Sequence, residues 1–95
     1  MRISRANKVD ANQAQIVRDL RQFGASVQDL SSVGGGCPDL LVAFRGVNYL
    51  VEVKNKGGRG KRLTEQQVRW QRAWRGQVAV CMCFDDVLKV ITEEK

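Results

Sequence analysis

Apolar residues recur at helical spacing between Asp10 and Phe23: Ile16, Val17, Leu20 and Phe23 share one stripe, and Gly24 ends it. The period then shortens. Ala25 to Leu30 reads as a short strand, and Ser31 to Pro38 holds Gly34-Gly35-Gly36 and a proline, a stretch that cannot be helical. Asp39 to Phe44 is a compact apolar strand, Arg45-Gly46-Val47-Asn48 a turn, and Tyr49 to Lys54 a second strand. Asn55 to Arg62 carries three glycines and four cations and reads as a mobile loop. Thr64 is a natural N-cap for a helix to about Arg75, ended by Gly76. Gln77 to Cys83 is a further strand, and Asp85 to Ile91 a short helix. Residues 1–9, polar and basic, are expected as a loose arm. The order α-β-β-β-α-β-α predicts a single α/β domain over residues 1–95, a mixed sheet flanked by helices.

The two central strands place charge where apolar residues dominate. If Phe44 faces Tyr49 across the turn, Leu41 lies opposite Glu52 and Asp39 opposite Lys54. Side chains alternate along a strand, so Asp39, Glu52 and Lys54 then project from one face while Val51 and Val53 point into the core. Charge is rarely kept at such positions without a partner or a task. Two readings stand on spacing alone: a cross-strand Asp39–Lys54 ion pair with Glu52 at a frayed edge, or a reactive site.

Composition narrows the chemistry. Apolar residues make up 43% of the 95, enough for one core. No apolar run approaches the ~20 residues that cross a bilayer, and Met1-Arg2-Ile3-Ser4-Arg5 leads into no apolar leader. A soluble, cytoplasmic protein is expected, with no membrane partner. Three cysteines, Cys37, Cys81 and Cys83, cannot form a paired framework. Cys81 and Cys83 flank Met82 in an apolar strand and read as small buried hydrophobes, because no second Cys or His pair completes a zinc site. Sixteen Lys and Arg against ten Asp and Glu give a formal charge of +6, which suggests a polyanionic partner, nucleic acid first. There is no histidine. Ser-His and Cys-His nucleophile pairs, histidine general bases and His-metal sites are therefore excluded.

Carboxylates and lysine remain. Two carboxylates a few ångströms apart repel, and a divalent cation between them removes that penalty; hard oxygen donors suit Mg²⁺ or Mn²⁺. Such a cation lowers the pKa of a bound water and neutralises charge on a phosphate, and a lysine on the same face can orient or deprotonate that water or stabilise the transition state. A protein without histidine can hydrolyse phosphodiesters by this route.

Pro38-Asp39 followed by Glu52-Val53-Lys54 resembles the PD-(D/E)XK nuclease signature, whose restriction-endonuclease-like core runs αβββαβ. Within that superfamily, Gly35-Gly36-Cys37-Pro38-Asp39-Leu40-Leu41, then Val51-Glu52-Val53-Lys54, then Leu63-Thr64 with Gln67 and Trp70, resemble the VRR-NUC family over roughly residues 10–91. Standalone members occur in phages and bacteria, and the module also forms the nuclease domain of Fanconi-associated nuclease. The resemblance implies metal ligation by Asp39, Glu52 and the Val53 carbonyl, catalysis by Lys54, and an active-site role for Gln67. Thr64-x-x-Gln67 is also a capping box, so Gln67 has two readings. On the first helix, where the family usually has glutamate, this chain has Gln13. A neutral amide is a weaker cation ligand, or else a buried hydrogen-bonding residue.

Lys56, Arg59, Lys61 and Arg62 cluster on the glycine-rich loop and read as a DNA clamp, against the plainer reading of a solvated basic loop. Arg69, Arg72 and Arg75 recur on the following helix as an extension of that surface or an ordinary solvated face. Nothing resembles a sequence-reading helix, so cutting of branched or flapped DNA is expected rather than cutting at a defined sequence. Standalone relatives resemble homodimers that resolve four-way junctions, which implies a dimer here. The expected function is a Mg²⁺- or Mn²⁺-dependent DNA endonuclease. Two alternatives remain: a DNA-binding module with a weakened site, and a structural domain held by an ion-pair network.

Overall fold

The computed structural model describes residues 5–55 and 62–93, with the side chains of the first helix described from residue 11. Helix α1 spans Arg5–Phe23 and is followed by β1 (Ser26–Asp29), β2 (Leu40–Phe44) and β3 (Val47–Val53). Helix α2 (Glu65–Ala73), β4 (Ala79–Cys81) and α3 (Phe84–Thr92) complete the chain. The four strands form one sheet in the order β1-β2-β3-β4. The first two pairings are antiparallel and β3–β4 is parallel, giving the expected mixed sheet with α2 as the crossover. No helix among the described residues is long and apolar enough to cross a membrane.

Residues 5–9 correct the expected loose arm. They form the first turns of α1, because Arg5-Ala6-Asn7-Lys8-Val9 contains no Gly or Pro and includes good helix formers. The core lies on one face of the sheet. Ile16 and Leu20 of α1 and Val87 and Ile91 of α3 close over Leu40 and Val42 of β2, Val51 and Val53 of β3, and Cys81 of β4. Each fully buried branched side chain contributes about 1.5–3 kcal/mol relative to exposure. Phe23 caps this layer, its ring 5.3 Å from Phe44 and 6.1 Å from Phe84. Helix α2 crosses the opposite face and has no buried residue.

The hairpin register differs from the expectation. Phe44 pairs with Val47, not Tyr49, and the ladder runs to Leu40 opposite Val51. The turn is the two-residue Arg45-Gly46, with φ of 54° and 80°. Two positive φ values make the type I′ geometry whose twist matches a hairpin, and Gly46 supplies the second at no steric cost. Asp39 therefore stands next in register to Glu52 and not to Lys54. The slip is two residues, so parity is kept and the charged trio still shares one face.

Candidate active site

Two local devices bring Asp39 to the start of β2. The glycine-rich connection turns the chain, with positive φ at Gly34, Gly35 and Gly36, and the Leu30 amide donates to the Asp39 carbonyl at 2.7 Å. The Asp39 carboxylate then reaches across the hairpin and accepts from the Val53 amide at 2.8 Å through Oδ2. The cross-strand Asp39–Lys54 ion pair is replaced by this bond and by a different partner for the lysine.

Glu52 alternates with Val51 and Val53, so it leaves the core face and points beneath α2. It is nonetheless only 1% exposed. Its Oε2 accepts from Gln67 Nε2 at 3.0 Å and lies 3.8 Å from Lys54 Nζ. Its Oε1 is buried with no hydrogen-bond partner among the described residues. Burial pushes the Glu52 pKa up to about 8, with a further upward contribution from the neighbouring Asp39 carboxylate; Lys54 opposes it. The Lys54 side chain is itself nearly buried, and its backbone amide is pinned to the Cys81 carbonyl at 2.9 Å.

Gln67 forms the expected capping box and also reaches Glu52. Its backbone amide donates to Thr64 Oγ1 at 3.1 Å and its Oε1 accepts from the Thr64 amide at 2.9 Å, a complete capping box. The remaining Nε2 is the group that holds Glu52. One amide therefore fixes the start of α2 and the orientation of a carboxylate.

The structure brings Asp39, Glu52, Val53, Lys54 and Gln67 together. Gln13 is placed elsewhere: its Nε2 donates to Asp29 Oδ2 at 3.3 Å, at the end of β1. Asp29 also accepts from the amide and hydroxyl of Ser31, which holds its pKa below the ordinary value. Lys56, Arg59 and Lys61 lie outside the described residues; Arg62 is exposed, as are Arg69, Arg72 and Arg75.

Two residues near the site carried no clear signal in the sequence. Asn12 donates from Nδ2 to the carbonyls of Lys54 (3.5 Å) and Met82 (3.4 Å), tying α1 to the ends of β3 and β4. Its one clue is position, a turn before Ile16 on the inner stripe. Cys37 adjoins the site; burial, then the charges of Glu52 and Asp39, raises its thiol pKa. That environment disfavours a thiolate.

The donor set suits a hard divalent cation. Asp39 and Glu52 are adjacent, one lysine opposes two carboxylates, and a buried oxygen lacks a partner. No cluster of three His, Cys, Asp or Glu side chains occurs among the described residues, so backbone or amide oxygen must supplement the pair.

The VRR-NUC domain family model matches residues 4–84. A solved structure titled "VRR_NUC domain" is similar at 30% identity and a TM-score of 0.68, covering 93% of this chain and 98% of its own. No curated protein matches this chain. VRR-NUC nucleases are generally metal-dependent, which agrees with the donor set. By its matched family model, its fold and its paired carboxylates, the chain belongs to the VRR-NUC family, whose function is nuclease-type DNA processing.

Proposed function

We propose that the chain is a Mg²⁺- or Mn²⁺-dependent endodeoxyribonuclease acting on branched or flapped DNA. The observation that carries this reading is Glu52: a buried carboxylate beside Asp39, oriented by Gln67, with Lys54 alongside and one oxygen unpartnered. Asp39, Glu52 and the Val53 carbonyl would hold the cation, which supplies Lewis acidity toward the scissile phosphate and its attacking water. Gln13 is engaged with Asp29 at the end of β1 and stands outside this set, which we read as a one-cation site.

The chain's own groups do the rest. Lys54 presents an ammonium group to the charge that builds on the phosphate oxygens, in a site shielded from water where that interaction is strong. Gln67 and Lys54 both engage Glu52 Oε2, which leaves Oε1 as the oxygen to meet the cation. Lys56, Arg59, Lys61 and Arg62 supply phosphate contacts that hold DNA without reading its sequence. One copy carries one site, so paired cuts across a junction need two copies related by a two-fold axis.

The test is cleavage of labelled four-way junction, flap and linear duplex DNA in Mn²⁺, Mg²⁺ or EDTA, comparing wild type with Asp39→Ala. Metal-dependent cutting of the branched substrates that the variant lacks is expected, with its melting temperature kept or raised. Binding without cutting in either metal would instead support a DNA-binding module. A variant that chiefly loses stability would support a structural ion-pair network.

A further inference from the structure

The α2 side of the sheet carries a second feature that phosphate chemistry does not use. Trp70 and Trp74 stack with ring centroids 4.6 Å apart and planes inclined by 19°. With Cys37, Leu41 and Leu50 they wall a pocket of about 370 Å³, within the range of sites that hold small ligands. Trp74 is 47% exposed. One face of its indole rests on Trp70. Its pyrrole edge lies over Gly76, where an added Cβ would come within 2.9 Å of Nε1. The ring is thus held on one face and one edge while nearly half its surface stays open.

Position ties this pocket to the active site. Leu41 follows Asp39 by two residues, Leu50 precedes Glu52 by two, and Trp70 follows Gln67 by one helical turn. Two residues along one face of a strand span about 6.6 Å. That distance is on the order of the reach from a phosphate to the base of its own nucleotide. We propose that the pocket receives the nucleobase of an unpaired nucleotide next to the scissile phosphate, stacked on Trp74.

The lining argues for a base and against a phosphate. No charged side chain lines the pocket among the described residues. Arg69 and Arg72 line a separate pocket with Leu63 and Val68. Gln77 is already spent, its amide bonded to both the amide and the carbonyl of Leu50. An uncharged aromatic disc matches what remains, and stacking on an indole tolerates any base. A base inside a duplex is stacked on its neighbours and cannot enter, whereas one in a flap or at a junction can splay out. The inference rests on the nuclease reading and adds to it a reason why branched or flapped DNA is preferred.

Trp70 and Trp74 are the only tryptophans in the chain, so tryptophan emission reads this pocket alone. The experiment uses the full chain as Asp39→Ala, which removes a proposed cation ligand so that binding is read without cleavage, titrated with a flap duplex and with a blunt duplex. The flap carries 2-aminopurine at its first unpaired position. Quenching of tryptophan emission and of 2-aminopurine by the flap, and not by the blunt duplex, is expected. Adding Trp74→Ala should lower the ratio of flap to blunt-duplex affinity about tenfold, with Trp74→Phe restoring most of it. Equal quenching by both DNAs, or an unchanged affinity ratio, overturns the proposal. So does an emission change on dilution without DNA, which would assign the face to a second copy of the chain. If Trp74→Ala does not fold, the parent's quenching and the Phe variant decide. Binding is read without cleavage, so a chain that never cuts DNA would fail the nuclease reading and still report on the pocket.

Discussion

Burying Glu52 with an unpartnered oxygen costs the metal-free fold stability whenever the carboxyl is charged. Its pKa is raised from 4.5 to about 8, so the native state binds this proton more tightly than the unfolded chain does. The stability so conferred is fully present below about pH 4.5 and is lost as pH rises through about 8. Thermal melts in EDTA from pH 5 to 9 should therefore show a falling melting temperature. Glu52→Gln should flatten that profile and lie above wild type at pH 9. Adding Mg²⁺ or Mn²⁺ should raise wild type, by about 2.7 kcal/mol at a concentration 100 times Kd, and leave Glu52→Gln nearly unmoved. Parallel pH profiles for the two proteins would show that Glu52 is not the strained group.

At the scale of elements, the site depends on how closely the glycine-rich connection passes beneath α2. Gly36 has φ +89°, and a Cβ there would lie 2.5 Å from the Gln66 carbonyl oxygen and 3.1 Å from Trp70 Cβ. Gly35, with φ +69°, meets nothing within 4 Å. Gly35→Ala should cost only the left-handed strain, about 1–2 kcal/mol, with cleavage retained. Gly36→Ala should cost more, because it must also lift α2, and with α2 goes the Gln67 amide that orients Glu52. Denaturant unfolding together with cleavage rates separates the two variants; equal losses in both would place the effect in backbone strain alone. Element type and order were legible in the sequence because period and breakers are local. The hairpin register was not, since Arg45-Gly46-Val47-Asn48 admits a four-residue loop as readily as a two-residue turn, and the choice depends on Arg45 accepting positive φ. The charged trio survived that error because the slip was even. Helix α2 ends at Ala73 rather than near Arg75: Trp74 turns to extended backbone, and Gly76 serves as a bed for its indole instead of a helix stop. That Gln67 caps α2 and also bonds Glu52 was hidden because a capping box and an amide aimed at a carboxylate leave the same mark in sequence.

For the molecule as a whole, the formal charge of +6 favours a polyanionic partner, and α2, with no buried residue, leaves its side of the sheet thinly covered. Its core lies on the α1–α3 face, and its chemistry, open indole and crossover helix lie on the other. Electrostatics should dominate affinity there while the pocket and the carboxylates decide which DNA is held productively. Phosphate contacts release counterions, so log K falls with log salt by about 0.9 for each contact made to duplex DNA. Replacing Lys56, Arg59, Lys61 and Arg62 by Ala together should lower that slope by about 0.9 for each of these cations that meets a phosphate. Affinity for flap and blunt duplex should weaken alike, because these contacts read no structure. The measurement is blunt-duplex and flap affinity of the Asp39→Ala chain from 50 to 300 mM salt, with and without the four substitutions. A reduced slope with an unchanged flap-to-blunt ratio assigns these four cations to clamping and leaves discrimination to the Trp74 side. An unchanged slope leaves them in solvent and moves the clamp to Arg69, Arg72 and Arg75, whose side chains stand exposed on α2 and just beyond it. A ratio that falls with the slope would mean that the four cations themselves grip the unpaired strand.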